Sequence, residues 1–130
     1  MTDTKTRTLH RPLSGAELKV RLGGLGLPPS FFAEKAGVTM RTVVRWFDTD
    51  PVPYAATDML GQLDALTLAE MHRVLDKLGD DNDVTLVTYR TDGSVSSKHG
   101  KWPASWHRSL TFRLLEHLEA QGRNVTVTYR

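Results

Sequence analysis

Residues 27–47, LPPSFFAEKAGVTMRTVVRWF, constrain the fold of this chain more tightly than any other stretch. Their spacing predicts two short helices, over 29–36 and 40–47, joined by a tight turn. Ala33 is a small residue midway along the first helix, where a second helix crossing closely leaves no room for a larger one. Gly37 follows four residues later, where the chain must leave that helix and a positive φ costs glycine least. Val38 supplies an apolar plug, and Thr39 can cap the second helix by accepting a backbone N–H bond. Val43 and Trp46, three residues apart, share one helical face and are expected to turn inward. Met40, Arg41, Val44 and Arg45 are then left outside. A helix with two arginines on its outer face suits phosphates and base edges in a DNA groove.

The order A-x-x-x-G-V-T-x-x-T-V-x-x-W, carried here by Ala33, Gly37, Val38, Thr39, Thr42, Val43 and Trp46, resembles the lambda-repressor-like helix-turn-helix of the Cro/repressor (Xre) family. The resemblance spans about residues 14–66. It implies a reader helix in the major groove, with the preceding helix crossing the DNA backbone. The DNA-contacting set expected from it is Thr39, Met40, Arg41, Thr42, Val44 and Arg45, with Ser30 from the first turn of the preceding helix. Two positions depart from the family. Pro29 stands where a phosphate-bonding glutamine is common, and Phe47 where a glutamate often follows the tryptophan. Proline is at home in a helix's first turn, so the fold tolerates the first change while a phosphate clamp is lost.

Charge is distributed unevenly along the chain. Residues 1–47 hold eight bases against three acids, a balance of +5 that coincides with the two-helix motif. Residues 48–83 carry −7, and residues 84–130 carry +4. A basic block on a helical motif favours a polyanionic partner on that face. The chain has no cysteine, which excludes disulfides and thiolate metal sites and fits a reducing cytoplasm. No apolar run approaches the ~20 residues that span a bilayer, and the first twelve residues lack the apolar core of a signal peptide.

Around the motif, Ser14 and Glu17 form a capping box that opens a helix carrying Leu18 and Leu22 inward, with Gly23 and Gly24 as its expected end. A helix over 54–65 carries Met59, Leu60, Leu63 and Leu66. Thr67 and Glu70 then make a second capping box, starting a separate helix that ends at Leu78 before Gly79. Its apolar stripe is Met71, Val74, Leu75 and Leu78. The final third repeats itself: VTLVTYR at 84–90 and NVTVTYR at 124–130 both read as strands. Between them, residues 103–121 read as a helix with Trp106, Leu110, Phe112, Leu114, Leu115 and Leu118 on its apolar faces, and Ser105 in its cap. Strand, helix, strand at this spacing predicts a right-handed βαβ crossover. Two strands alone make a marginal sheet with open edges, so a second copy of the chain is the expected remedy.

The expected architecture is therefore α+β. A tail over 1–12 precedes a mainly α helix-turn-helix domain at 13–66, and 67–130 form a linking helix and a βαβ dimerisation region. This layout, with Pro103-Ala104-Ser105-Trp106, is similar to small phage and bacterial regulators that include the anti-CRISPR-associated repressors. In that group the C-terminal region makes the homodimer and the N-terminal unit binds an inverted repeat. For Lys5, Arg7 and Arg11, a solvated leader is preferred over an arm along a minor groove.

No catalytic constellation is evident. The five histidines, His10, His72, His99, His107 and His117, include no i,i+4 pair, so neither a metal nor another cofactor is expected. Ser105 and His107 do not face each other along a helix. The expected protein is a cytoplasmic, non-enzymatic, homodimeric regulator of double-stranded DNA, a repressor of phage or mobile-element type, with no membrane partner. The competing class is a protein-interaction module, such as an antitoxin built on a helix-turn-helix scaffold, for which the acidic 48–83 block is the argument.

Overall fold

A computed structural model describes residues 11–92 and 101–130, so the readings on Lys5, Arg7, His10 and His99 lie outside it. The described residues are mixed α+β, with five helices and one two-stranded parallel sheet. The chain divides into two compact units, Met1–Ala69 and Glu70–Arg130.

In the first unit, α1 (Gly15–Leu25) opens on the capping box expected for it. The Ser14 hydroxyl accepts from the Glu17 N–H at 3.1 Å, and the Glu17 carboxylate accepts from the Ser14 N–H at 2.9 Å. Arg11 clamps that same carboxylate through two bonds of 2.7 Å. The helix does not stop at Gly23 and Gly24. It runs through both to Leu25 and ends at Gly26, which takes the left-handed conformation at φ 69°. Leu25 and Leu27 are both buried, so the added turn brings two further leucines into the core. Burying a leucine is worth about 1.5–3 kcal/mol, which outweighs the roughly 1 kcal/mol that each helical glycine costs.

Two shorter helices follow, α2 (Pro29–Ala36) and α3 (Met40–Asp48), and α3 packs against both α1 and α2. Phe32 and Ala33 are buried on α2, while Ala36 is only half-buried. Gly15 explains how closely α1 approaches α3. A Cβ placed there would lie 2.3 Å from the Trp46 carbonyl oxygen and 2.5 Å from that of Phe47. The Leu13 N–H is buried and donates to the Thr57 hydroxyl at 3.1 Å, which fixes the entry to α1.

The next helix, α4 (Tyr54–Leu78), is one continuous element of 25 residues, not two. The second capping box does not form. Residues 66–70, LTLAE, contain no breaker, so the helix has no cause to end there. Thr67 is buried within the helix, and its hydroxyl turns back to donate to the Leu63 carbonyl at 2.8 Å. Glu70 faces Arg73 instead of a helix start, in a paired contact of 2.6 and 2.8 Å. Leu66 is exposed, and the stripe of Met71, Val74, Leu75 and Leu78 is half-buried.

In the second unit, β1 (Asp83–Thr88) and β2 (Asn124–Tyr129) pair in parallel, with Val84 opposite Val125 and Leu86 opposite Val127. Parallel neighbours require a crossover, and α5 (Ala104–Ala120) supplies it, packing on both strands. Val84, Leu86 and Thr88 are buried at alternate positions of β1, while every residue of β2 except half-buried Val125 is exposed. Trp106, Leu110, Leu114 and Leu118 form the buried stripe of α5, whereas Phe112 is exposed. Ser105 is not the cap of α5. Pro103 occupies that position, and Asp92 from the preceding segment accepts the Ala104 N–H at 2.8 Å. A carboxylate at that end both satisfies an orphan donor and suits the helix dipole.

Candidate functional site

The first unit holds α3 by one face only. Val43 and Trp46 are buried, which commits the helix to a single rotation about its axis. Gly37 adopts φ 72° between α2 and α3, and its N–H and that of Val38 return to carbonyls of the last turn of α2. This closure sets the angle between the two helices without a longer loop. Thr39 caps α3, its hydroxyl accepting from the Thr42 N–H at 3.2 Å and lying 3.0 Å from the Thr42 hydroxyl. The cap and the buried pair together fix where the remaining side chains of α3 point.

Those side chains form two adjacent rows. Met40 and Val44 are one turn apart and about half exposed, at 52% and 48%. Arg41 and Arg45 form the neighbouring row, also exposed, and no ion pair holds either guanidinium among the described residues. The first turn of α3 contains no acid. An apolar row beside a cationic row can meet a surface that is both anionic and studded with methyl groups. Of the residues singled out from sequence, Thr39, Met40, Arg41, Val44 and Arg45 therefore share one exposed surface of α3. Thr42 is half-buried and engaged with Thr39. Ser30 is exposed in the first turn of α2. That helix opens on Pro28 and Pro29 without a side-chain cap, as the proline at its start allows.

Around this surface, lysines lie over the aromatic residues nearest the motif. The Lys35 ammonium is 5.4 Å from the Phe31 ring centre, and that of Lys19 is 5.9 Å from the Phe47 ring centre. The apolar residues that flank the motif are thus covered by cations, which adds to the basic character of the unit.

The second unit contains one polar cluster that sequence reasoning missed. His107 is buried, with its Nδ1 2.9 Å from the Thr88 hydroxyl and 3.3 Å from that of Thr111. The Thr111 hydroxyl donates to the His107 carbonyl at 2.7 Å, and the Tyr89 ring meets the imidazole edge-on at 4.8 Å. The cluster ties α5 to the end of β1. The repeat of β-branched residues in β1 pointed to a strand, but a histidine beside a tryptophan gave no signal of burial. Among the described residues, no group of three histidine, aspartate or glutamate side chains could hold a metal ion, and no helix is long and apolar enough to cross a membrane.

No protein-family model matches this chain, and no curated protein matches it.

Proposed function

We propose that this chain is a sequence-specific DNA-binding transcriptional regulator in which α2 and α3 form a helix-turn-helix and α3 enters the major groove. On this reading it acts as a homodimer on an inverted repeat, as a repressor of the phage or mobile-element type. The observation that carries the proposal is the outer face of α3, where Arg41 and Arg45 are exposed beside Met40 and Val44 while Val43 and Trp46 anchor the helix from behind. Arginine is the side chain best suited to guanine O6 and N7, and an apolar side chain suits the thymine methyl. Thr39 stands at the helix start, where a hydroxyl and the backbone N–H groups can meet a phosphate. The basic balance of residues 1–47 favours the same partner.

Selection of binding sites from random duplex DNA at fixed salt tests the proposal. A two-fold dimer selects an inverted repeat whose half-site centres lie about 34–36 Å apart, or a small multiple of that. Arg41→Ala and Arg45→Ala should each weaken binding to the selected site roughly ten- to a hundredfold, since a bidentate arginine–guanine contact contributes about 1–3 kcal/mol. A chain that selects no sequence, or whose two arginine variants bind as tightly as wild type at matched salt, refutes the reading. Copurification of a second protein in place of DNA binding would favour the interaction-module class.

A further inference from the structure

In the second unit, the outer side of the sheet is an unfinished edge. The Asn124 N–H donates to the Asn82 carbonyl at 2.8 Å, and the Arg130 N–H to the Thr88 carbonyl at 3.0 Å. In a parallel ladder successive residues turn their backbone groups to opposite sides, so the even-numbered residues of β2 serve β1. Val125, Val127 and Tyr129 therefore direct their N–H and C=O groups away from β1. Their side chains lie on the same sheet face as their partners Val84, Leu86 and Thr88, the face that α5 covers. Cover ends before it reaches them: Val127 is 40% and Tyr129 48% exposed. Beside them, Phe112 and Leu115 of α5 border an open groove of about 380 Å³, with Arg108 at its rim. A free strand edge and an uncovered apolar strip thus coincide.

We infer that this edge is where two copies of the chain join, by antiparallel pairing of β2 with its counterpart about a two-fold axis at Val127. The inference rests on the homodimer proposed above and names its surface. The sequence of β2 is complementary to itself in that register. Val127 meets the partner's Val127, Val125 meets the partner's Tyr129, and Thr126 meets the partner's Thr128. Asn124 meets the partner's Arg130, so no like charges oppose each other along the strand. Valine–tyrosine and threonine–threonine are among the cross-strand pairs that stabilise a sheet. Arg90 already holds the Tyr129 ring in place, its guanidinium 4.2 Å from the ring centre. The geometry also closes. Strands lie about 4.8 Å apart, so the two copies of α5, each over its own strand pair, stand about two strand spacings, or roughly 10 Å, from one another. That is about the distance at which helices pack, and it brings Phe112 and Leu115 of both copies over the axis.

The absence of cysteine makes the register testable in the full-length chain, because one introduced cysteine is the sole thiol. Opposed residues of an antiparallel pair have Cα atoms about 4.5–5.5 Å apart, within the range a disulfide bridges. Val127→Cys should therefore yield a covalent dimer on mild oxidation. Val87→Cys should not, because the two copies of β1 lie about three strand spacings, or 14 Å, apart. Val127→Lys, at an exposed position, should keep the far-ultraviolet circular dichroism of wild type and sediment as a monomer at tens of micromolar, roughly where weak dimers dissociate. Equal cross-linking of the two cysteine variants overturns the inference. A wild-type dimer that survives Val127→Lys overturns the surface and leaves the homodimer standing. A wild-type monomer at tens of micromolar overturns both. A monomer whose Val127 and Tyr129 signals shift on adding an extended peptide would make a foreign strand the occupant.

Discussion

Helix α3 and strand β2 both leave large apolar side chains in solvent, but their backbones are in opposite states. Beyond its first turn, α3 satisfies its own backbone N–H groups, and Thr39 accepts the Thr42 N–H at its start. Along its length it exposes side-chain chemistry, Met40 and Val44 beside two arginines. Strand β2 exposes Val127 and Tyr129 together with outward backbone groups that another strand can pair. Equal apolar exposure therefore asks for different partners. A helix with cationic side chains beside its apolar row suits a polyanion, whereas an open strand edge suits a strand. The same contrast runs through the two units. The first is fixed by close helix contact, as at Gly15, where no side chain fits beside α3. The second is fixed by a thin sheet and a buried polar cluster.

The largest expected effect tests the first half of that contrast. Gly15→Ala sets a methyl 2.3 Å from the Trp46 carbonyl oxygen, a backbone atom that cannot swing aside. Alanine favours a helix by about 1 kcal/mol over glycine, but overpacking costs typically 1–3 kcal/mol and more against backbone. We expect a net loss of about 2 kcal/mol or more in urea unfolding, with resonances of residues 15–48 broadened before those of the sheet. Unchanged stability would mean that α1 and α3 do not meet this closely.

His107→Leu tests the second half. It takes the imidazole away from the buried Thr88 hydroxyl, and leaving that group unsatisfied costs about 1–3 kcal/mol, while Thr111 keeps its bond to the carbonyl of residue 107. Amide exchange should quicken in β1 and α5 and stay as in wild type in α1 to α3. Equal loss of protection in both units would break the comparison, because the two would then unfold as one.

A smaller effect of opposite sign is expected at Gly24. A Cβ there meets nothing within 4 Å, and the residue lies inside α1. Gly24→Ala should raise stability by about 0.5–1 kcal/mol, measured by the same urea titration. Gly15 and Gly24 share one helix, so a stabilising change at one and a destabilising change at the other would isolate packing from propensity.

The smallest effect is a pH dependence at the start of α1. Hydrogen bonds from Arg11, and then from the Ser14 backbone, lower the Glu17 carboxyl from 4.5 to about 2. A carboxyl that is more acidic when folded contributes stability above its unfolded value, and that contribution disappears as pH falls through the folded value. The N-terminal turn of α1 should therefore loosen between about pH 4.5 and 2. Arg11→Ala should move the Glu17 titration, followed by carbon-13 shifts, back toward the ordinary carboxylate range. A Glu17 midpoint that does not move would remove Arg11 as the cause.

Local signals made much of this molecule legible in sequence. The Ser14–Glu17 capping box, the turn at Gly37, the cap at Thr39 and the inward pair Val43 and Trp46 each depend on residues within four positions of one another. Such features are decided by backbone conformation and helical period, which a sequence displays directly. The two strands were equally plain from their β-branched alternation. The tertiary structure decided what local preference left evenly matched. Thr67 and Glu70 could open a helix or continue one, and in an unbroken run the hydroxyl bonded back to Leu63. Gly23 and Gly24 could end α1, yet burial of Leu25 carried the helix past them. The acceptor for the first N–H of α5 came from Asp92, twelve residues before Ala104, and the partner of His107 from Thr88, nineteen residues away. Gly15 carried no local mark of its role, because the carbonyls it admits belong to α3. Capping, turns and period are properties of neighbours along the chain; clashes, buried pairs and uncovered edges arise only when distant segments are brought together, and those contacts are what only the fold could decide.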